Sequence, residues 1–142
     1  MQNILVLFEM YLQVIICTIG FENMEPVKRF VIQKHTKAGE VHWDLMLETG
    51  KVLQTYRLQL PPEKLPQQIS VALKIFDHPV KFLTYQGSVN KGKGTVEIAE
   101  TGTYQMLNAN ERRQELLLEG KFLKGKFILT HIEDDRWEFR LC

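Results

Sequence analysis

The chain has 142 residues, with 18 lysines and arginines against 17 aspartates and glutamates and a formal net charge of +1. That is enough chain for one core without staples, and too balanced for a whole-protein field to draw it to nucleic acid, so any phosphate-binding surface must be local. The two cysteines, Cys17 and Cys142, stand at opposite ends of the sequence; they offer no disulfide framework, fit a reducing cytoplasm, and form no CxxC or Cys/His cluster of the structural-zinc kind.

Residues 4–21 form an apolar run interrupted by Glu9, Gln13 and Thr18. Its length is near the lower limit for a membrane span and it carries a charge, while Met1-Gln2-Asn3 supplies no positive charge for a secretory signal. We expect no membrane segment and read residues 1–23 as an apolar extension outside the native domain, which then occupies residues 24–142. The alternative is an apolar helix or strand packed on that domain.

Residues 30–48, FVIQKHTKAGEVHWDLMLE, carry the strongest pattern. From Val41 onward the alternation is strict. Val41, Trp43, Leu45 and Leu47 make one apolar face, and His42, Asp44, Met46 and Glu48 the other. The connection Thr36-Lys37-Ala38-Gly39-Glu40 can fold this strand back antiparallel on the preceding one, which brings His35 toward His42 and Asp44. Two imidazoles and a carboxylate suit Mn, Fe or Zn with coordination positions left open. On spacing alone, an ordinary polar surface cluster is the more frequent source of such a pattern.

Thr49-Gly50-Lys51 reads as a turn and residues 52–58 as a strand rich in β-formers. After Pro61, Pro62 and Pro66, residues 67–75 fit a short helix with Ile69 and Leu73 inward. It ends at Asp77-His78-Pro79, where Pro79 disfavours a helical backbone at His78 and holds it extended. Short strands are then expected at 80–86, 94–99, 103–107, 114–119, 126–132 and 136–141, with turns at glycines 87, 92, 102, 120 and 125 and at Asn108-Ala109-Asn110. Such spacing favours a closed barrel or sandwich. Trp43 and His131 read as packing residues, and Tyr85 as a candidate for stacking on a base. Lys91 and Lys93, in a glycine-bearing loop, could meet a phosphate or simply be a solvated turn.

The combination of QKH at Gln33-Lys34-His35, HWDLMLE from His42, DHP from Asp77, YQG from Tyr85, GTV from Gly94, GTY from Gly102, and LKGKFILTH ahead of Trp137 resembles the 3′-phosphoesterase domain of bacterial DNA ligase D and its stand-alone homologues. The resemblance implies a mainly β fold, a closed or nearly closed barrel of about eight strands with one short helix. It implies a divalent metal, typically manganese, on His35, His42 and Asp44, and contact of His78 with the scissile phosphate; the neighbouring Asp77 is our candidate for orienting that histidine. The activity implied is removal of a 3′-terminal ribonucleoside and then a 3′-phosphate from the end of a primer-template. The expected setting is a cytoplasmic monomer working beside a repair ligase or polymerase.

Three positions depart from the family pattern. Met46 stands where an arginine usually holds phosphate, Phe76 where an acidic residue is common, and Phe82 where a tyrosine is expected. The metal ligands are therefore kept while part of the phosphate-binding shell is replaced, and Arg57, Lys91 and Lys93 are the candidate substitute cations. The second reading is a non-catalytic barrel that binds nucleic-acid ends or a repair partner. The third is a small-molecule barrel, which an apolar cleft would favour.

Overall fold

The computed structural model describes residues 25–142; the apolar run and the extension expected over residues 1–23 lie outside the described residues. Nine strands follow in order: β1 Lys28–Lys37, β2 Glu40–Thr49, β3 Val52–Leu58, β4 Ser70–Pro79, β5 Gly87–Val89, β6 Gly94–Ala109, β7 Arg113–Glu119, β8 Lys124–Glu133 and β9 Arg136–Leu141. All pairings are antiparallel in one sheet of order β1-β2-β3-β4-β9-β8-β7-β6-β5. β1 also pairs with β6, so the sheet returns on itself as a ring that leaves out only β5. The mainly β architecture expected from the sequence is what is found.

The site strands are joined as their sequence requires. Ala38 (φ 51) and Gly39 (φ 81) both occupy the left-handed region, the backbone of a two-residue hairpin turn whose twist matches its strands. The turn sets the register Lys37↔Glu40, His35↔His42, Gln33↔Asp44 and Val31↔Met46. A slip of one residue would send every one of these side chains to the other face.

The two faces of the sheet carry two apolar clusters. Inside the ring, Phe30 and Ile32 of β1, Leu45 and Leu47 of β2, Tyr56 and Leu58 of β3, and Phe127, Leu129, Trp137 and Phe139 of β8 and β9 pack together. Each fully buried large side chain contributes roughly 1.5–3 kcal/mol. On the outer face Val31, Met46 and Leu53 meet Leu83, with Val80 and Phe82 packed against them. Val41, expected on the apolar face, is exposed instead, because it lies at the hairpin end beyond the ring interior. Trp43 is half-buried against the inner cluster.

Several expectations need correction. The segment expected as a helix at 67–75 becomes β4 from Ser70 onward, bonded to β3 on one side and β9 on the other. Ser70 and Ala72 are buried while Val71 and Leu73 are less so, and the two ladders outweigh the weak local preference of a short amphipathic stretch. The helical pieces among the described residues are 3₁₀ turns, Pro62–Lys64, Val80–Leu83 and Asn90–Gly92. The second of these replaces the strand expected at 80–86, and its gain is burial of Leu83 on the outer cluster. Gly102 is no turn but a point inside the 16-residue β6; a Cβ there would clash with the Glu119 carbonyl, so the glycine marks close approach of two backbones. Cys142 is disulfide-bonded. Among the described residues no helix is long and apolar enough to cross a membrane.

Glu100 closes the ring interior near the β7–β8 connection. Its carboxylate is buried and accepts the backbone N–H groups of Thr101 (3.0 Å), Lys121 (2.9 Å), Phe122 and Leu123 (3.0 Å). A Cβ on Gly120 would stand 2.8 Å from its Cδ, so the glycine is needed for that approach. Glu100→Ala is expected to strip these donors of their acceptor and cost about 3 kcal/mol or more. Urea unfolding measures it, and a loss below about 1 kcal/mol would mean that water replaces the carboxylate freely.

Candidate metal and phosphate site

The outward side chains of β1, β2 and β3 lie in cross-strand rows. His35 faces His42 across the first pair, and Asp44 lies between Gln33 on β1 and Arg57 on β3. His35 Nδ1 and His42 Nε2 are 3.0 Å apart, and His42 Nε2 is 3.3 Å from Asp44 Oδ2. One ligand atom from each of His35, His42 and Asp44 can be chosen so that all lie within 4.8 Å of one another. Arg57 Nε donates to Asp44 Oδ1 at 3.4 Å. Asp44 is 4% exposed.

The protonation of this triangle is what a cation requires. Burial pushes the His35 imidazole below its ordinary value, and the neighbouring His42 adds to the shift. Burial likewise lowers His42, against the opposing pull of Asp44. Both rings are therefore neutral near pH 7, the state that ligates metals. His42 Nε2 has a single in-plane hydrogen or lone pair and cannot serve both close contacts, so one of the two is left unmet in either tautomer. The buried His35 Nε2 also has no partner. Two neutral imidazoles and a carboxylate with unsatisfied lone pairs fit a divalent cation of the Mn, Fe or Zn class.

His78 reaches the same face through a bulge in β4. Leu53 pairs with His78 and Thr55 with Ile75, so β4 spends one residue more than β3 over that interval and re-aims the side chains there. Thr55 Oγ1 donates its hydrogen to the Leu53 carbonyl at 3.0 Å, so it can only accept from His78 Nδ1, 2.9 Å away. The Phe76 carbonyl is a second acceptor for Nδ1 at 3.1 Å. Nδ1 therefore carries hydrogen, and Nε2 is the nitrogen left for the cavity that His78 lines.

That cavity, about 510 Å³, is lined by the polar residues Gln33, His35, Lys37, Glu40, His42, Asp44, Arg57, His78 and Asn90 and by the apolar residues Met46, Phe76, Pro79, Phe82, Val89 and Val96. Its size suits a small ligand or the end of a larger one. The sequence expectations sort cleanly against it. His35, His42, Asp44, His78 and Arg57 come together. Asp77 is exposed and outside the lining, and the side chain that meets His78 Nδ1 is Thr55. The charge of Asp77 bears instead on Tyr56, whose phenol burial pushes up to about 12. Lys91 and Lys93 do not line the cavity, whereas Val89 and Asn90 of the same loop do. Tyr85 packs edge-on against Phe82 and donates its hydroxyl to the Ser88 carbonyl. His131 packs on Trp137 and contacts the Asp134 carbonyl, away from the site.

Sequence reasoning missed Thr55 and a role for Gln33. Gln33 donates to the carbonyls of Phe82 (2.9 Å) and Tyr85 (2.8 Å) and so ties the covering segment to β1. The two-residue period of β1 carried that signal, since Gln33 shares a face with His35.

The profile of the DNA Ligase D 3′-phosphoesterase domain matches residues 33–131. The chain belongs to this family. It is 29% identical over 126 residues, 77% of its length, to a multifunctional non-homologous end joining protein LigD of Mycolicibacterium smegmatis, covering 16% of that protein. It is 27% identical over 109 residues, 71% of its length, to the protein of the same description from Pseudomonas aeruginosa, covering 13% of it. The chain thus spans less than a fifth of either relative. In this phosphoesterase-family domain, Met46 sits on the cavity floor within the outer cluster, and the cation nearest the histidine-aspartate set is Arg57.

Proposed function

We propose that the domain is a metal-dependent 3′-phosphoesterase that trims a terminal ribonucleotide or a 3′-phosphate from nucleic-acid ends, leaving a 3′-hydroxyl for a ligase or polymerase in end joining. The observation that carries this reading is the convergence of His35, His42 and Asp44 on one cavity with His78 and Arg57. His35, His42 and Asp44 would hold the cation, Mn²⁺ being the expected occupant, and its chemistry would be Lewis-acid polarisation of a phosphoryl oxygen. Arg57 donates to the non-bridging oxygens with the guanidinium N–H groups not committed to Asp44. His78, fixed through Thr55, presents Nε2 to the phosphate, where a proton on it stabilises developing charge or passes to the departing 3′-oxygen. Water attacks phosphorus, the bond from phosphorus to the 3′-oxygen breaks, and the nucleic acid leaves with a 3′-hydroxyl.

Turnover of a primer-template ending in a 3′-ribonucleotide or 3′-phosphate, with Mn²⁺ and with EDTA, tests the proposal. The native protein is expected to heal the end only with metal, and His42→Ala and His78→Ala to lose that activity. The replacement of part of the expected phosphate-binding shell by Met46, Phe76 and Phe82 favours a second reading, a non-catalytic domain that binds ends. Stoichiometric metal through His42 with no turnover would replace the first reading by the second.

A further inference from the structure

Phe76 is the most exposed large hydrophobic side chain among the described residues, at 74%. It belongs to neither apolar cluster, so the fold does not explain it. The bulge in β4 stacks its ring on that of His78, with centroids 4.7 Å apart and planes 15° from parallel. One ring face is thus covered by the imidazole. Phe76 and Arg57 both border the site cavity and also an adjoining open groove that runs past Lys74. An aromatic plane beside a groove that carries Arg57 and Lys74 with one carboxylate, Asp135, at the mouth of a cavity large enough for the end of a nucleic acid, is the arrangement by which proteins hold single nucleotides without reading sequence.

We propose that Phe76 is the platform for the nucleobase of the terminal nucleotide, stacked so that its 3′-phosphate enters between Arg57 and His78. The inference rests on the phosphoesterase reading and names the part of the substrate that the phosphate chemistry leaves unspecified. A phenyl face accepts any base, so the site would discriminate a nucleotide from a bare sugar-phosphate and not one base from another. Covering His78 on one side, the same ring confines the nucleotide to the side of Arg57.

The test is equilibrium binding in EDTA, where no turnover occurs, of a primer-template whose 3′-phosphorylated terminal residue is either 2-aminopurine or abasic. The native protein is expected to quench the 2-aminopurine and to bind that end roughly tenfold more tightly than the abasic one. Phe76→Ala is expected to abolish the quenching and bring the two affinities within about twofold, Phe76→Trp to keep the preference, and Phe76→Leu to lose it. Because the side chain is exposed, these variants should unfold at the native midpoint, which a thermal scan checks. A preference that survives in Phe76→Ala, or equal native affinity for both ends, overturns the platform alone. Failure of the native protein both to bind either end in EDTA and to process a 3′-phosphate end with Mn²⁺ overturns the phosphoesterase reading with it, and failure to bind in EDTA with turnover kept in Mn²⁺ overturns the platform alone. A role limited to positioning His78 would change turnover and leave the base preference intact, which also counts against the platform.

Discussion

Asp44→Asn is expected to remove the stabilisation that Mn²⁺ would give the protein under the proposed function. Asp44 is almost fully buried and supplies the one negative charge of the candidate ligand set. The amide keeps an oxygen for Arg57 Nε but turns a nitrogen toward His42 Nε2, the atom 3.3 Å from Oδ2 in the native chain. That nitrogen donates to the lone pair a cation would use. Loss of a residue behind a ligand already weakens metal binding by about 10–100-fold, so loss of a ligand charge should weaken it by at least about a hundredfold. At a metal concentration of about 100 times the native Kd, binding stabilises by about 2.7 kcal/mol, and a hundredfold weaker site leaves about 0.4 kcal/mol. For a domain of this size the difference is a melting shift on the order of 10 °C. Thermal unfolding with Mn²⁺ and with EDTA reads it directly. The metal-free variant should unfold within about 1 kcal/mol of the native protein, since the amide replaces one polar partner by another. An undiminished Mn²⁺ shift in Asp44→Asn would remove Asp44 from the ligand set.

The part of this site that could be read in the sequence is the part governed by a two-residue period and a two-residue turn. His35, His42 and Asp44 are placed by alternation along β1 and β2 and by Ala38-Gly39, all within ten residues. Nothing between those positions depends on a distant segment. His78 was legible in kind, because Pro79 keeps it extended, but its orientation was not. The register shift between β3 and β4 decides which way residues 76–78 face, and a bulge leaves no composition mark in either strand. The same shift exchanges the expected partner Asp77 for Thr55. The helix expected at 67–75 failed for a related reason. Its apolar spacing fits helix and strand alike, and the pairings to β3 and β9 that decide between them come from residues far along the chain. Gly102 misled because a glycine required for close approach looks, in sequence, like one required for a turn.

Arg57→Ala is expected to lower the rate of phosphate removal about a hundredfold, while the double variant Lys91→Ala, Lys93→Ala stays within about threefold of native. Met46, where the resemblance leads one to expect an arginine, is 1% exposed and packed with Val31, Leu53 and Leu83. Arg57 is the arginine on the cavity wall, whereas neither lysine of the Asn90–Gly92 loop region lines it. A charge-assisted contact to a phosphoryl oxygen in a partly desolvated site contributes a few kcal/mol, and about 2.7 kcal/mol is a hundredfold in rate. Arg57→Lys should fall between, because an ammonium keeps the charge and loses the planar fork. The ion pair with Asp44 supplies the control. Releasing that carboxylate from its guanidinium leaves it more available to a cation, so Mn²⁺ affinity in Arg57→Ala should equal or exceed the native value. A rate loss with metal retained then assigns Arg57 to the phosphate. A rate loss that tracks a fall in metal affinity would instead make Arg57 a support for Asp44, and unchanged turnover would leave His78 and Lys37 as the phosphate contacts that the cavity offers.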